Sequence, residues 1–132
     1  MISLVRRILR RPPRPLGQRG ERYAAKWLAR RGYRILQTNV TFGDDEADLI
    51  AEDPDGRTIV VVEVKTREQA HPAPEASVGP TKQYRLSRCA ARLARMSKYR
   101  DRPFRFDVIA IIWPDGSQPQ VRHWPGAFES RL

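Results

Sequence analysis

The stretch whose reading decides the fold is RTIVVVEVK, residues 57–65. Ile59, Val60, Val61 and Val62 are apolar at successive positions, the pattern of a strand covered on both faces in the middle of a sheet. Glu63 then places a carboxylate in that run, which costs several kcal/mol if it stays charged and unpaired. Lys65, two residues on, leaves the strand on the same face as Glu63. Just upstream lie EADLIAED (46–53) and Pro54-Asp55-Gly56, and Asp-Gly between apolar runs signals a hairpin. By the same parity Glu46, Asp48 and Ile50 share one face of the preceding strand. A two-residue turn at Asp55-Gly56 sets Asp48 opposite Glu63 and Glu46 opposite Lys65, with Cβ atoms about 4.5–5.5 Å apart. A three-residue bulged loop over residues 54–56 shifts that register, and Asp48 then meets Glu63 only through a second bulge. The sequence leaves both registers open, and Asp53-Pro54-Asp55-Gly56 suits the bulged turn.

Working outward, Ala24, Ala25, Trp27, Leu28 and Arg31 recur at three- and four-residue steps and predict a helix over 17–31, with Gly32 in the left-handed position past its end. YRILQTNV (33–40) reads as a strand. Three prolines make residues 68–80 a loop, and Thr81 caps a helix beginning near Lys82. In that helix Leu86, Cys89, Ala90, Leu93 and Met96 form an apolar stripe, and Arg85, Arg88, Arg92 and Arg95 recur on another face. FRFDVIAII (104–112) and QVRHW (120–124) complete the pattern. The order αβββαββ predicts a single α/β domain over 16–132, a mixed central sheet flanked by helices. Before it stands a basic arm, residues 1–15, where Pro12, Pro13 and Pro15 stop the helical spacing of Ile2, Val5, Ile8 and Leu9. The arm reads as a flexible tail, or as a segment lying on nucleic acid or on a membrane surface.

A chain of 132 residues, 40% apolar and 30% charged, suits one globular domain. Cys89 is the only cysteine, and His71 and His123 lie far from it in sequence, which excludes an intrachain disulfide and argues against a zinc finger. A single thiol fits a reducing cytoplasm. No run approaches the roughly 20 apolar residues of a membrane span, and no secretory core follows Met1. The net charge of +10 is unevenly spread. Residues 1–34 carry eleven basic residues against Glu21 alone, residues 35–81 carry ten acids against three bases, and residues 82–105 carry nine bases against Asp101. Two basic blocks around an acidic middle point to a polyanion, that is, nucleic acid.

Convergent carboxylates without His or Cys make a hard, oxygen-rich site suited to Mg²⁺, with Mn²⁺ as a substitute. Lys65 beside them can orient or deprotonate a water, or stabilise charge on phosphate oxygens. The structural alternative is a Glu63–Lys65 ion pair on a strand face, with Asp48 capping a turn.

At this point the chain resembles a known family. Asp48 followed by Glu63-Val64-Lys65 is similar to the D…ExK core of the restriction-endonuclease-like nucleases. The wider text resembles the YraN family, bacterial proteins regarded as candidate endonucleases related to archaeal Holliday-junction resolvases. The resemblance runs through Gly17, Gly20-Glu21, Ala24, Leu28, Gly32-Tyr33, Ile35, Asn39, Glu46, Asp48 to Ala51, Val62 to Arg67, Lys82 and Arg105 to Val108, about three quarters of the chain. It departs where the family reads Gly-Glu-Ile-Asp and this chain has Asp45-Glu46-Ala47-Asp48. The resemblance implies a restriction-endonuclease-like fold and a Mg²⁺-dependent DNA endonuclease, acting on branched or structured DNA as a homodimer in the cytoplasm. Asp48, Glu63 and Glu46 would bind metal, Glu21 of the first helix would join or orient that shell, and Lys65 would assist the water. The other reading is a non-catalytic nucleic-acid-binding or adaptor protein that keeps a nuclease fold.

Four further expectations come from the residues themselves. Lys82, Arg85, Arg88, Arg92 and Arg95 would contact phosphates and so position a substrate without reading bases. Cys89 reads as a small core residue, and Trp27, Trp113 and Trp124 as core anchors. Asp107 should have a structural partner.

Overall fold

The computed structural model describes residues 15–132; all but the last residue of the expected arm lies outside them. Two helices, α1 (Leu16–Arg30) and α2 (Pro80–Ala94), accompany five strands: β1 (Arg34–Phe42), β2 (Asp45–Glu52), β3 (Ile59–Arg67), β4 (Phe104–Ile112) and β5 (Gln120–Phe128). The strands lie side by side in chain order, all neighbours antiparallel except the parallel pair β3–β4. This is the expected αβββαββ order, a mixed sheet consistent with a restriction-endonuclease-like core. The uniformly apolar β3 is the middle strand, with Ile59 to Val62 fully buried.

Alternation along β3 sorts its side chains between the helices. Val60, Val62 and Val64 pack with Leu49, Ile109 and Ile111 under Ala24 and Leu28 of α1. Ile59 and Val61 pack with Ile50, Phe106 and Val108 under Leu86, Cys89, Ala90 and Leu93 of α2. Each fully buried leucine contributes about 1.5–3 kcal/mol. Trp27 and Trp113 border the first cluster and Trp124 the second, and Cys89 is completely buried, as expected of core residues.

Local chemistry refines the expected boundaries. Helix α1 ends at Arg30, and Gly32 takes φ 91°, the left-handed conformation anticipated for it. Helix α2 starts earlier than expected: Gly79 is its N-cap and Pro80 its first residue, so Thr81 lies inside the helix and does not cap it. Proline suits that place because its missing N–H would be unpaired there anyway. Met96 and Arg95 fall past the end of α2, the expected loop 68–80 contains a short 3₁₀ turn (Pro74–Ser77), and β5 runs on to Phe128.

The β2–β3 hairpin closes through neither expected turn. The Asp53 N–H donates to the Thr58 carbonyl at 2.9 Å and the Gly56 N–H to the Asp53 carbonyl at 2.9 Å, which leaves a four-residue loop over 54–57. Asp55 organises it, accepting from the N–H groups of Arg57 (2.7 Å) and Thr58 (2.8 Å) and from the Thr58 hydroxyl (2.7 Å). These bonds, led by the Thr58 N–H, hold its carboxyl down at about 2. The register is nevertheless the one a two-residue turn would set, from Glu52 opposite Ile59 to Leu49 opposite Val62.

Candidate functional site

The β2–β3 ladder stops at Leu49 and Val62, one residue short of Asp48 and Glu63. There the Asp48 carboxylate takes over from the backbone: its Oδ2 accepts the Val64 N–H at 2.7 Å. On the other side of β2, Thr38 pairs with Leu49 and Val40 with Ala47, and Asn39 between them takes φ 51°. Asparagine is among the few residues that visit this region readily. Side-chain alternation breaks at the same level. Ala47 and Ile50 belong to the α2-side cluster and Leu49 to the α1-side cluster, whereas strict alternation would put Ala47 with Leu49. The expectation that Glu46, Asp48 and Ile50 share one face is corrected accordingly, because the irregular backbone around Asn39 and Asp48 resets the pleat.

Glu63 is 4% exposed and Asp48 8%. Lys65 Nζ lies 3.6 Å from Glu63 Oε1, and Lys82 Nζ, from the first turn of α2, lies 3.5 Å from Oε2. Lys82, expected in a phosphate-binding row, thus faces the buried glutamate. Burial, and next the charge of Asp48, push the Glu63 carboxyl up to about 7 against the pull of the two lysines. With both carboxylates ionised, Glu63 Oε2 has no hydrogen-bond partner; a proton on one of them lets it donate to the other.

Glu21 reaches this place from α1. A Cβ on Gly20 would stand 1.8 Å from Thr66 Oγ1, so only glycine lets the helix pack this closely on β3. Glu21 follows directly. Its carboxyl is also pushed up to about 7, chiefly by burial, then by the charge of Asp48 and a hydrogen bond shared with it, and least by Glu46. Glu46 itself is exposed, opposite Thr41. The structure therefore gathers Glu21, Asp48, Glu63, Lys65 and Lys82, with Glu46 at the margin. Among the described residues no group of three Asp, Glu, His or Cys side chains stands close enough to hold one metal ion.

The arginine row of α2 is divided. Arg88 donates from Nη2 to Asp45 Oδ1 at 2.6 Å and lies 4.9 Å from the Tyr84 ring. Arg92 sits 5.6 Å over Phe42, while Arg85 and Arg95 are exposed. Asp45, 4% exposed, is a residue the sequence reading passed over. Its partner is 43 positions away, and nothing in the local pattern announces the pair. Asp107, 1% exposed, has the structural partners expected of it: Arg105 (2.8 and 2.9 Å), His123 (2.8 Å) and the Gly126 N–H (3.0 Å). Burial would raise its carboxyl, but these donors outweigh burial and leave it below the ordinary value. Burial pushes the Cys89 thiol up to about 11, which removes it as a nucleophile near neutral pH. No helix among the described residues is long and apolar enough to cross a membrane.

Comparison with known proteins places this geometry in context. The chain is 39% identical to a UPF0102 protein of Pelobacter propionicus, over 88% of this chain and 84% of that one. It is 43% identical to a UPF0102 protein of Geotalea uraniireducens over 86% and 89%, and 42% identical to one of Anaeromyxobacter dehalogenans over 86% and 84%. Among solved structures it is similar to the SPO1766 protein of unknown function from Silicibacter pomeroyi, at 18% identity and a TM-score of 0.40, covering 83% of this chain and 71% of that one. The model of the Uncharacterised protein family UPF0102 matches residues 20–111, from the glycine before Glu21 to the last residue but one of β4. With that span and those relatives, the chain belongs to family UPF0102, the YraN family.

Proposed function

We propose that the protein is a metal-dependent DNA endonuclease that hydrolyses phosphodiester bonds, with branched or structured DNA as its substrate and the cytoplasm as its place of work. The observation that carries this reading is the pair of buried carboxylates, Asp48 and Glu63, at the point where β2 and β3 part, with Lys65 alongside and Glu63 Oε2 left without a hydrogen-bond partner. A sheet that needed only packing has no use for two acids there, and burying them is costly.

The donor set fits Mg²⁺ or Mn²⁺. All the acids offer oxygen, and Mg²⁺ is commonly held by one or two carboxylates, its remaining positions filled by waters and substrate phosphate. Asp48 and Glu63 would hold the ion, and Glu46 and Glu21 would stand behind them. Such an ion acts as a Lewis acid and template for the phosphate. The chain's own groups do the rest. Lys65 orients the attacking water or neutralises charge on the phosphate oxygens. Glu21, next to Asp48, would orient that carboxylate. Asp48, anchored by the Val64 N–H, cannot swing away from β3.

The test is cleavage of branched, single-stranded and duplex DNA with Mg²⁺ or Mn²⁺ by the wild type and by Asp48→Ala and Lys65→Ala. Cleavage by the wild type that both substitutions abolish supports the site; cleavage that survives both refutes it. The Lys65 and Lys82 ammonium groups already facing Glu63 favour a second reading, in which they balance its charge without a metal and the protein is a non-catalytic nucleic-acid-binding adaptor. Calorimetry that finds no Mg²⁺ or Mn²⁺ binding, with or without DNA, selects that reading.

A further inference from the structure

Helix α1 and its C-cap carry five cations, Arg19, Arg22, Lys26, Arg30 and Arg31, and one acid, Glu21. That acid turns inward to Asp48. Among the described residues none of the five cations forms an ion pair. Arg19 lies 4.4 Å over the Trp113 ring and Arg31 3.5 Å over Trp27. Arg22, Lys26 and Arg30 are exposed and follow one another at four-residue steps, about 6 Å apart along the axis. The row begins one residue after Glu21 and lies two positions on from Gly20, Ala24 and Leu28 at each step, so it runs along the face of α1 opposite the one buried on the sheet. Helix α2 and its C-cap also expose Arg85, Arg92 and Arg95, but at uneven steps of seven and three residues, because the cations between them are engaged: Lys82 faces Glu63 and Arg88 is bonded to Asp45.

We infer that Arg22, Lys26 and Arg30 form a track that a nucleic-acid backbone follows across the outer face of α1, so that α1, and not α2, is the principal phosphate-binding surface. This rests on the proposed reading for the nature of the partner. Evenly spaced cations along one helix face suit a repeating anion and carry little base information. An anionic membrane is the poorer match, because interfacial helices insert an apolar face and that of α1, Ala24 and Leu28, is buried against the sheet.

The experiment measures affinity for a labelled DNA duplex against salt in EDTA, where no cleavage occurs. It compares the wild type with an Arg22→Ala/Lys26→Ala/Arg30→Ala variant and an Arg85→Ala/Arg92→Ala/Arg95→Ala variant. All six positions are on the two helices or at their ends, and circular dichroism confirms that each variant is folded. Each lost phosphate contact lowers the log–log salt slope by about 0.9. The α1 variant should lose about two to three units of slope and the α2 variant less than one. A charge-preserving Arg22→Lys/Lys26→Arg/Arg30→Lys variant should restore the slope. An unchanged slope in the α1 variant, or an equal or larger loss in the α2 variant, overturns the inference, whatever the cleavage assay shows. A slope loss confined to the α1 variant together with no cleavage on any substrate upholds the track and removes the nuclease reading. Flotation with phosphatidylglycerol vesicles completes the test: wild-type vesicle binding that the α1 substitutions abolish, while DNA binding is untouched, also overturns it.

Discussion

Gly20→Ala tests the packing that delivers Glu21 to the site. In an ordinary helix position alanine would stabilise by up to about 1 kcal/mol relative to glycine. Here the new Cβ would stand 1.8 Å from Thr66 Oγ1, 2.8 Å from its Cβ and 2.9 Å from its Cγ2. Thr66 is buried in the middle strand and β-branched, so it has little freedom to turn aside. Overpacking of this kind costs about 1–3 kcal/mol, and with three contacts below van der Waals distance the upper part of that range applies. Overpacking therefore exceeds the propensity gain. The net loss should be about 1–2 kcal/mol, lowering Tm by roughly 4–8 °C in a chain of this size. Gly17→Ala, in the same helix but with nothing within 4 Å, is the control and should be neutral or slightly stabilising. Urea denaturation of both variants gives the comparison at unchanged m. Thr66→Ala added to Gly20→Ala should recover part of the loss, because it removes the 1.8 Å contact and keeps the 2.8 Å one. If Gly20→Ala proves as stable as the wild type, α1 does not sit on β3 as described, and the placement of Glu21 falls with it.

Three other outcomes follow from the site and its surroundings. Glu63 and Glu21 both have folded carboxyls raised to about 7 from 4.5. The folded state therefore binds more protons than the unfolded chain between those values, and stability in EDTA should be greatest below pH 4.5 as far as these two groups are concerned. It should fall as pH rises towards and through 7, and Glu63→Gln should flatten the fall when denaturant midpoints are compared across pH. Asp48→Asn keeps an acceptor for the Val64 N–H while removing the charge, so it should fold normally, bind Mn²⁺ at least tenfold more weakly by calorimetry and lose cleavage. Asp45→Ala should lower the urea midpoint, since it removes the carboxylate that Arg88 Nη2 donates to, and a double-mutant cycle with Arg88→Ala should show that the two positions are coupled.

Most of the fold was legible because periodicity reports burial directly. The run Ile59 to Val62 announced a strand covered on both faces, and the stripe from Leu86 to Leu93 announced the helix that covers one of them. The site was legible in part. Asp48, Glu63 and Lys65 could be grouped by parity and register, yet the register holds through a four-residue loop built on Asp55 carboxylate bonds, which no turn rule for Asp-Gly specifies. The break in alternation at Asp48 was not legible, because it depends on the Asn39 backbone in the neighbouring strand. Nor was the division of the α2 cations. Helical spacing places Lys82, Arg85, Arg88 and Arg92 on one surface but says nothing about which of them a distant acid or ring will claim. Long-range ion pairs of this kind leave no periodic trace.

The parallel pairing of β3 with β4 bears on how the chain acquires its shape. The β1–β2–β3 meander is joined by short turns, whereas Ile59 must wait for Phe104, far along the chain and beyond α2. Contacts so distant in sequence form late, because the intervening loop has to close first. Until then β3 offers an unpaired, valine-rich edge, the kind of segment that seeds intermolecular β-structure. Glu63 and Lys65 interrupt that segment just after its apolar run. The two charges proposed for chemistry in the finished protein are thus also gatekeepers of the nascent one, discouraging neighbouring chains from adding to β3 before β4 arrives. Neutralising both would lower the yield of folded protein, whatever chemistry the finished site performs.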